Sequence, residues 1–329
     1  MKHHLSLMLF SLIMAMPLAA AQQENSMTAD HNLTGKIWDS ANQKFITEAR
    51  LITHLRQSRH VLLGLRQDNP QHQQRAADMI ESLVKKGRRP TIFISNVTRD
   101  KQNAFAIFAQ RHRDPAIAYD ATGLDMLLGW PGSGQPDWTI SRPVFDVAML
   151  RKLPLNAVNF SRYEIGQIHH KGLEGLPLDV KPDVTALLSL PMPEAIKSRL
   201  NDEIAREFCG KLPPEALDKF VLIHRARNAL FARAITRDDP KYSNPRHIGP
   251  RHIGPSVLIT SQRHVVRGTG LPGYLDKLGL KDKITSLSFV EVGTDISPQD
   301  MAAIKVDFIW FSHKKSRPSP CGHLTSETP

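Results

Sequence analysis

The residues of this chain that could do chemistry stand directly behind apolar runs. In "VLLGLRQDNPQHQQ" (61–74) an apolar run ends at Gly64, and Arg66, Gln67, Asp68, Asn69 and Pro70 follow. A helix-like stretch then opens with His72. A second set follows "SVLITS" (256–261), namely Gln262, Arg263 and His264. If the two runs are neighbouring strands, His72 or Gln67 and His264 face one cleft at the carboxyl ends, where open α/β sheets take their ligands. Imidazoles there suit metal ligation or acid–base work. A third set is "LDMLLGWPGSGQPDWTISRP" (124–143), where Pro, Gly, Trp130 and Trp138 crowd a loop. No Gly-rich phosphate loop, serine elbow or H-E-x-x-H pattern is present.

These residues need strands to deliver them. "RHVLLGL" (59–65), "RPTIFISNV" (89–97), "NAVNFS" (156–161), "SVLITS" (256–261), "KITSLSFVEV" (283–292) and "VDFIWFS" (306–312) read as strands. Residues 71–86 form an amphipathic helix with Ala76, Met79, Ile80 and Leu83 on one face, and 99–113 a second helix. "GKIWDSANQKFIT" (35–47) reads as a short hairpin leading into a helix. The alternation predicts an α/β fold with a largely parallel central sheet flanked by helices. Residues 162–238 carry a helical pattern with little strand character, an inserted helical subdomain. Its longest helix spans 213–235, with Leu217, Phe220, Val221, His224, Asn228 and Phe231 at helical spacing. His224 there reads as a packed core histidine. The expected division is an α/β core over 34–160 and 250–315, a helical subdomain over 161–249, and a disordered tail over 316–329.

The ends bound the setting. Lys2, an apolar stretch from Leu5 to Leu18 and Ala19-Ala20-Ala21 read as a cleaved signal peptide over 1–21. No cysteine follows to carry a lipid, so an exported, soluble, periplasmic protein is expected. The formal charge of +11 favours anionic ligands or lipids, and export argues against nucleic acid. Cys209 and Cys321 are free to pair in that compartment, though sequence alone does not show that they meet. "PRHIGPRHIGP" (245–255) is a tandem repeat, read as a locally duplicated loop, although His247 and His252 are possible metal ligands.

Five segments in order carry a resemblance: "LLGLRQDNPQHQ", "LGWPGSGQPDW" with "RPVFDVA", "AVNFSR", "CGKLPPEALDKFVLIHRARNALFA" and "RHVVRGTGLPGYL". Over about 35–312 the chain resembles the ChaN-like haem-binding uptake proteins of the Tiki superfamily. The resemblance implies an exported bacterial protein of haem or iron acquisition, with an α/β core and a helical subdomain. Relatives usually read G-E-x-H-D-N-P-x-H-H in the first segment. Here the glycine is Gly64, Leu65 replaces the glutamate, Gln67 replaces the first histidine, Asp68, Asn69 and Pro70 are kept, and His72 and Gln73 follow. The later G-x-G-H becomes Ser261-Gln262-Arg263-His264, and Ser141 stands where relatives often carry a tyrosine.

A hydrolytic metal site needs several carboxylate or imidazole ligands. Leu65 and Gln67 remove two of them, so a metal-dependent hydrolase is the poorer fit. Haem needs one or two axial ligands and an apolar slot. The expected reading is therefore a non-enzymatic haem-binding protein, with His264 and His72 as iron ligands and Tyr274 as the alternative. Gln67 is a further polar group at the site. Arg66, Arg263 or Arg267 would pair the propionates, and Trp130 and Trp138 would wall the porphyrin. Envelope transport components and a homodimer are the expected partners besides haem. A degenerate relative acting as an interaction module is the remaining alternative.

Overall fold

The computed structural model describes residues 31–112, 119–236, 255–293, 298–318 and 321. The signal-peptide segment, most of the Arg-His-Ile-Gly-Pro repeat with its two histidines, and residues 322–329 lie outside the described residues.

The hairpin β1 (Ile37–Asp39) and β2 (Lys44–Ile46) leads into α1 (Glu48–Gln57), capped by the Thr47 side chain. Then β3 (His60–Leu65), α2 (Pro70–Lys85), β4 (Thr91–Thr98) and α3 (Gln102–Arg111) alternate, a 3-10 turn at Arg99–Lys101 introducing α3. α4 (Leu124–Leu128), α5 (Trp138–Leu150) and β5 (Leu155–Asn159) follow. The helical stretch is α6 (Arg162–Lys171), α7 (Lys181–Leu188), α8 (Glu194–Glu207) and α9 (Pro214–Thr236). β6 (Ser256–Ser261), α10 (Pro272–Lys277), β7 (Ile284–Val292), α11 (Pro298–Ala303) and β8 (Phe308–His313) complete the chain. Among the described residues no helix is long and apolar enough to cross a membrane.

One eight-stranded sheet runs in the order β2-β1-β8-β7-β3-β6-β4-β5. The six strands from β8 to β5 are parallel, and β1 and β2 close one edge antiparallel. Strands buried on both faces lose the polar alternation of a half-exposed sheet, which is why 60–65 reads as one apolar run. Period 2 still divides the layers. Val61, Leu63, Leu65, Ile92, Ile94, Val257 and Ile259 pack with α1 to α5. Leu62, Phe93 and Leu258 pack with α6, α7, α9 and α10. The helical stretch thus covers one face of the sheet and shares its core.

One expectation needs correction. Within 124–143, expected as loop, Leu124–Leu128 and residues 138–143 are helical, the latter opening α5 because the Asp137 carboxylate accepts the Thr139 amide at 2.8 Å and caps it. The described part of the tail is attached at two places. Arg317 pairs with Asp68 and Glu291, and Cys321 is disulfide-bonded to Cys209. Both contacts join residues far apart in sequence, so composition could not reveal them.

Gly64 lies where β3 meets the turn after β6. A Cβ there would fall 2.9 Å from Gln262 Cα and closer still to a Val265 methyl. Gly64→Ala is expected to destabilise the fold by about 1–3 kcal/mol through overpacking. Urea unfolding would read this as a lowered midpoint, and an unchanged midpoint would refute the tight contact.

Candidate functional site

Asn69 builds the first loop. Its side-chain oxygen accepts from the amides of Gln71 (2.9 Å) and His72 (3.3 Å), with Pro70 at the first helical position. Its amide nitrogen donates to Glu291 at 2.7 Å. Arg317 binds that carboxylate with both terminal nitrogens and reaches Asp68 at 2.8 Å. Burial would raise the pKa of Glu291, but the bonds from Arg317 and Asn69 outweigh it and hold the group at about 2. The Asp68-Asn69-Pro70 segment is therefore clasped by the carboxyl-terminal tail.

His72 is fully buried. The Arg66 amide donates to its Nδ1 at 3.0 Å, and Nε2 lies 2.6 Å from the Ser312 hydroxyl. With Nδ1 accepting, the neutral ring donates from Nε2, so both nitrogens are engaged. Burial lowers its pKa to about 4 against the opposing pull of Glu291. Its ring stacks on Phe289, in the layer of α2.

His264 occupies the opposite layer. It is 8% exposed, stacks on His224 at 4.8 Å, and packs edge-on against Phe231. Asn228 lies between the two histidines. Its side-chain oxygen meets His264 Nδ1 at 2.7 Å and its amide nitrogen faces His224 Nε2 at 3.0 Å. Burial lowers the pKa of His224 to about 4 and that of His264 well below the usual range, with the neighbouring charges adding to the effect on His264. The structure therefore does not bring His72 and His264 into one cleft; the sheet separates them.

The remaining expected residues are distributed as follows. Tyr274 is buried in the α9–α10 layer, where burial raises its pKa. Trp130 is buried, donates to the Pro136 carbonyl at 2.8 Å, and meets Trp138 edge to face at 5.0 Å. Three arginines already have carboxylates. Arg66 lies 3.7 Å from Asp68 and 3.8 Å from Glu291, Arg263 pairs with Glu207, and Arg267 grips Asp307 with two bonds of 2.8 Å. Leu65, in the place of the glutamate, is buried in the apolar core.

Two cavities open at the carboxyl ends of the parallel strands. One, of about 470 Å³, lies at the ends of β3 and β6 among Arg66, Gln67, Asp68, Gln262 and Arg263. The other, of about 910 Å³, lies at the ends of β4 and β5. Gln67 links them, its side-chain oxygen 3.4 Å from the Asn96 amide nitrogen. The larger cavity has apolar walls from Val97, Leu128, Trp130, Phe160 and Ile165, and polar groups from Lys101, Arg162, Tyr163 and Arg227. Ser161 and Glu164 form a capping box that starts α6, which sets Arg162 and Tyr163 at the rim. Tyr163 is 75% exposed.

Those four polar residues were not singled out in the sequence, although two signals for them exist. Arg162 and Tyr163 stand behind an apolar run as Arg66 and Gln67 do. Arg227 falls on the face of α9 that carries His224, Asn228 and Phe231, a register that otherwise goes to the core.

The two cavities thus lie at the carboxyl ends of an open parallel sheet, where α/β folds take their ligands. The family model described as "Haem-binding uptake, Tiki superfamily, ChaN" matches residues 51–275, and the chain belongs to this family. Among solved structures it is similar to "Cofacial heme binding to ChaN of Campylobacter jejuni". The TM-score is 0.62 at 19% identity, over 85% of this chain and 96% of that one. That likeness concerns the fold. The type III effector HopBA1 (8% identity, 81% of this chain, 92% of that one) and an erythromycin esterase EreC mutant (12%, 86% and 82%) match at a TM-score of 0.41, too low to carry an argument. No curated protein matches the sequence.

Proposed function

We propose that this chain is an exported, periplasmic, non-enzymatic haem-binding protein that handles haem in transit. Membership in the haem-binding uptake family supports it, and so do the residues of the β4–β5 cavity. The observation that carries the site is that one cavity of about 910 Å³ combines apolar walls, an exposed phenol and three cations. Haem presents an apolar macrocycle, an iron that accepts an axial oxygen or nitrogen, and two carboxylates, and tyrosinate is an established axial donor. Tyr163 would supply the oxygen, and Leu128, Trp130, Phe160 and Ile165 the walls. Bound haem would supply the iron chemistry; the chain's own task is to hold it and limit water. His264 and His72 remain candidates from the sequence, but each is buried and would have to leave its hydrogen bonds to reach iron. Envelope transport components and a second copy of the chain are the partners this role calls for.

The described residues do not assemble the ligand set that a hydrolytic metal site needs. Leu65 is apolar and buried, and among the described residues no group of three or more His, Cys, Asp or Glu could hold a metal.

The test is haem titration of residues 22–329 followed by Soret absorbance. Saturable binding is expected at micromolar haem. Tyr163→Phe should change the band and weaken binding about tenfold, roughly the loss of 1.4 kcal/mol, while His72→Ala and His264→Ala should leave the band in place. A band lost only in a histidine variant would return the iron to that histidine, and no Soret change with the wild-type protein would refute the haem reading.

A further inference from the structure

Arg227 is a half-buried arginine on a helix face that otherwise packs into the core. It lies mid-helix in α9 and lines the β4–β5 cavity, and its Nε is buried without a hydrogen-bond partner. Among the described residues it has no carboxylate partner. Burial accordingly lowers its pKa with nothing anionic to raise it. By contrast, Arg66, Arg263, Arg267 and Arg317 at the strand ends are each bound to Asp or Glu of the same chain. A partly buried charge with no anion beside it costs stability, and an anionic ligand would offset that cost.

The surroundings add to this charge. Lys101 and Arg162 line the same cavity with only Asp100 opposing them, three cations against one carboxylate. Neither has a carboxylate partner among the described residues. Arg162 reaches only the Ser133 carbonyl, which places its guanidinium at the mouth. An inner cation with two at the rim, between apolar walls, suits a large flat body carrying carboxylates. Guanidinium meets a carboxylate edge-on with two parallel bonds.

We infer that Arg227, with Lys101 and Arg162, forms a carboxylate-recognition site that draws the acid groups of a porphyrin into the β4–β5 cavity independently of iron. The inference rests on the haem reading for its natural ligand. It also makes a separate claim, that the acid groups and not the metal carry much of the affinity.

Two probes separate these claims, metal-free protoporphyrin IX and its neutral dimethyl ester, titrated beside haem. The wild-type protein should bind the diacid at least about tenfold more tightly than the ester. Arg227→Gln should weaken both haem and the diacid about tenfold or more and abolish the preference, and Arg227→Lys should restore part of it. Circular dichroism and thermal unfolding would check that the variants fold. If Arg227→Gln does not fold, the exposed pair Lys101→Ala/Arg162→Ala should still weaken the diacid and not the ester. Haem binding that is indifferent to Arg227, or equal affinity for diacid and ester, would overturn the inference and leave the haem reading standing. Arg227-dependent diacid binding without haem binding would do the reverse, and binding of neither would remove both. Inorganic phosphate competing better than succinate would overturn the assignment to carboxylates.

Discussion

Lowering the pH from 8 to 5 is expected to remove about 4 kcal/mol of stability or more, because three buried histidines must stay neutral in the folded chain. His72 and His224 have pKa values near 4 and His264 lies well below its usual range, all chiefly through burial. In the unfolded chain each would titrate near 6.5. Since the folded pKa lies below the unfolded one, the unfolded state takes up protons first as pH falls. The stability is therefore complete above about pH 6.5 and is lost between there and pH 4. At pH 5 the linkage amounts to about 2 kcal/mol for each of His72 and His224, with His264 adding to it. Against a typical total of roughly 5–15 kcal/mol this is a large fraction. A second window follows from Glu291, whose folded pKa of about 2 lies below its unfolded value, so its stabilisation is lost as pH falls from about 4.5 toward 2. Urea unfolding at a series of pH values measures the whole curve. His224→Gln should flatten the slope between pH 6.5 and 5, and a free energy equal at pH 8 and 5 would mean that these rings are not held neutral.

The bridge between Cys209 and Cys321 carries the second large effect. It joins the turn after α8 to the carboxyl-terminal tail across a separation of 112 residues. Closing a loop of that length restricts the unfolded chain by about 4–5 kcal/mol on the chain-entropy account. Cys321→Ser is the cleaner variant, because Cys209 has a left-handed backbone with φ 60° and its replacement would also alter the helix end. We expect Cys321→Ser, or wild-type protein in reductant, to unfold at markedly lower urea. Loss of the bridge should also loosen the grip of Arg317 on Asp68 and Glu291, seen as faster amide exchange around Asn69. Superimposable unfolding curves with and without reductant would show that the bridge does not stabilise the chain.

The sequence by itself determined the layers. Apolar runs of five or six residues separated by helical periods specify strands covered on both faces, since no half-exposed strand would leave 61–65 without a polar position. Asn69-Pro70 announced the start of α2 because a side-chain acceptor followed by a fixed φ is a local device that needs no distant partner. The five ordered segments pointed to the family for a similar reason, each being a local solution to one turn or cap. The helical start at 138–143 is not legible within the loop-like stretch 124–143, because Pro131, Gly132 and Gly134 mask the cap at Asp137.

The tertiary structure decided what those devices face. His72 and His264 both stand near strand ends, yet the turn after β6 sends one ring into the α9 layer and the helix after β3 sends the other into the α2 layer. Arg66, Arg263 and Arg267 are neutralised by Asp and Glu residues from 2 to 225 positions away, and no local pattern encodes such pairings. Among the described residues Arg227 remains without one, and this too emerges only from the packing of elements far apart in sequence. Cys209 and Cys321 meet only because the tail returns across the carboxyl ends of the sheet. Spacing along a chain reports which face of an element a residue occupies; which cavity that face looks into depends on the packing of elements that the sequence leaves far apart.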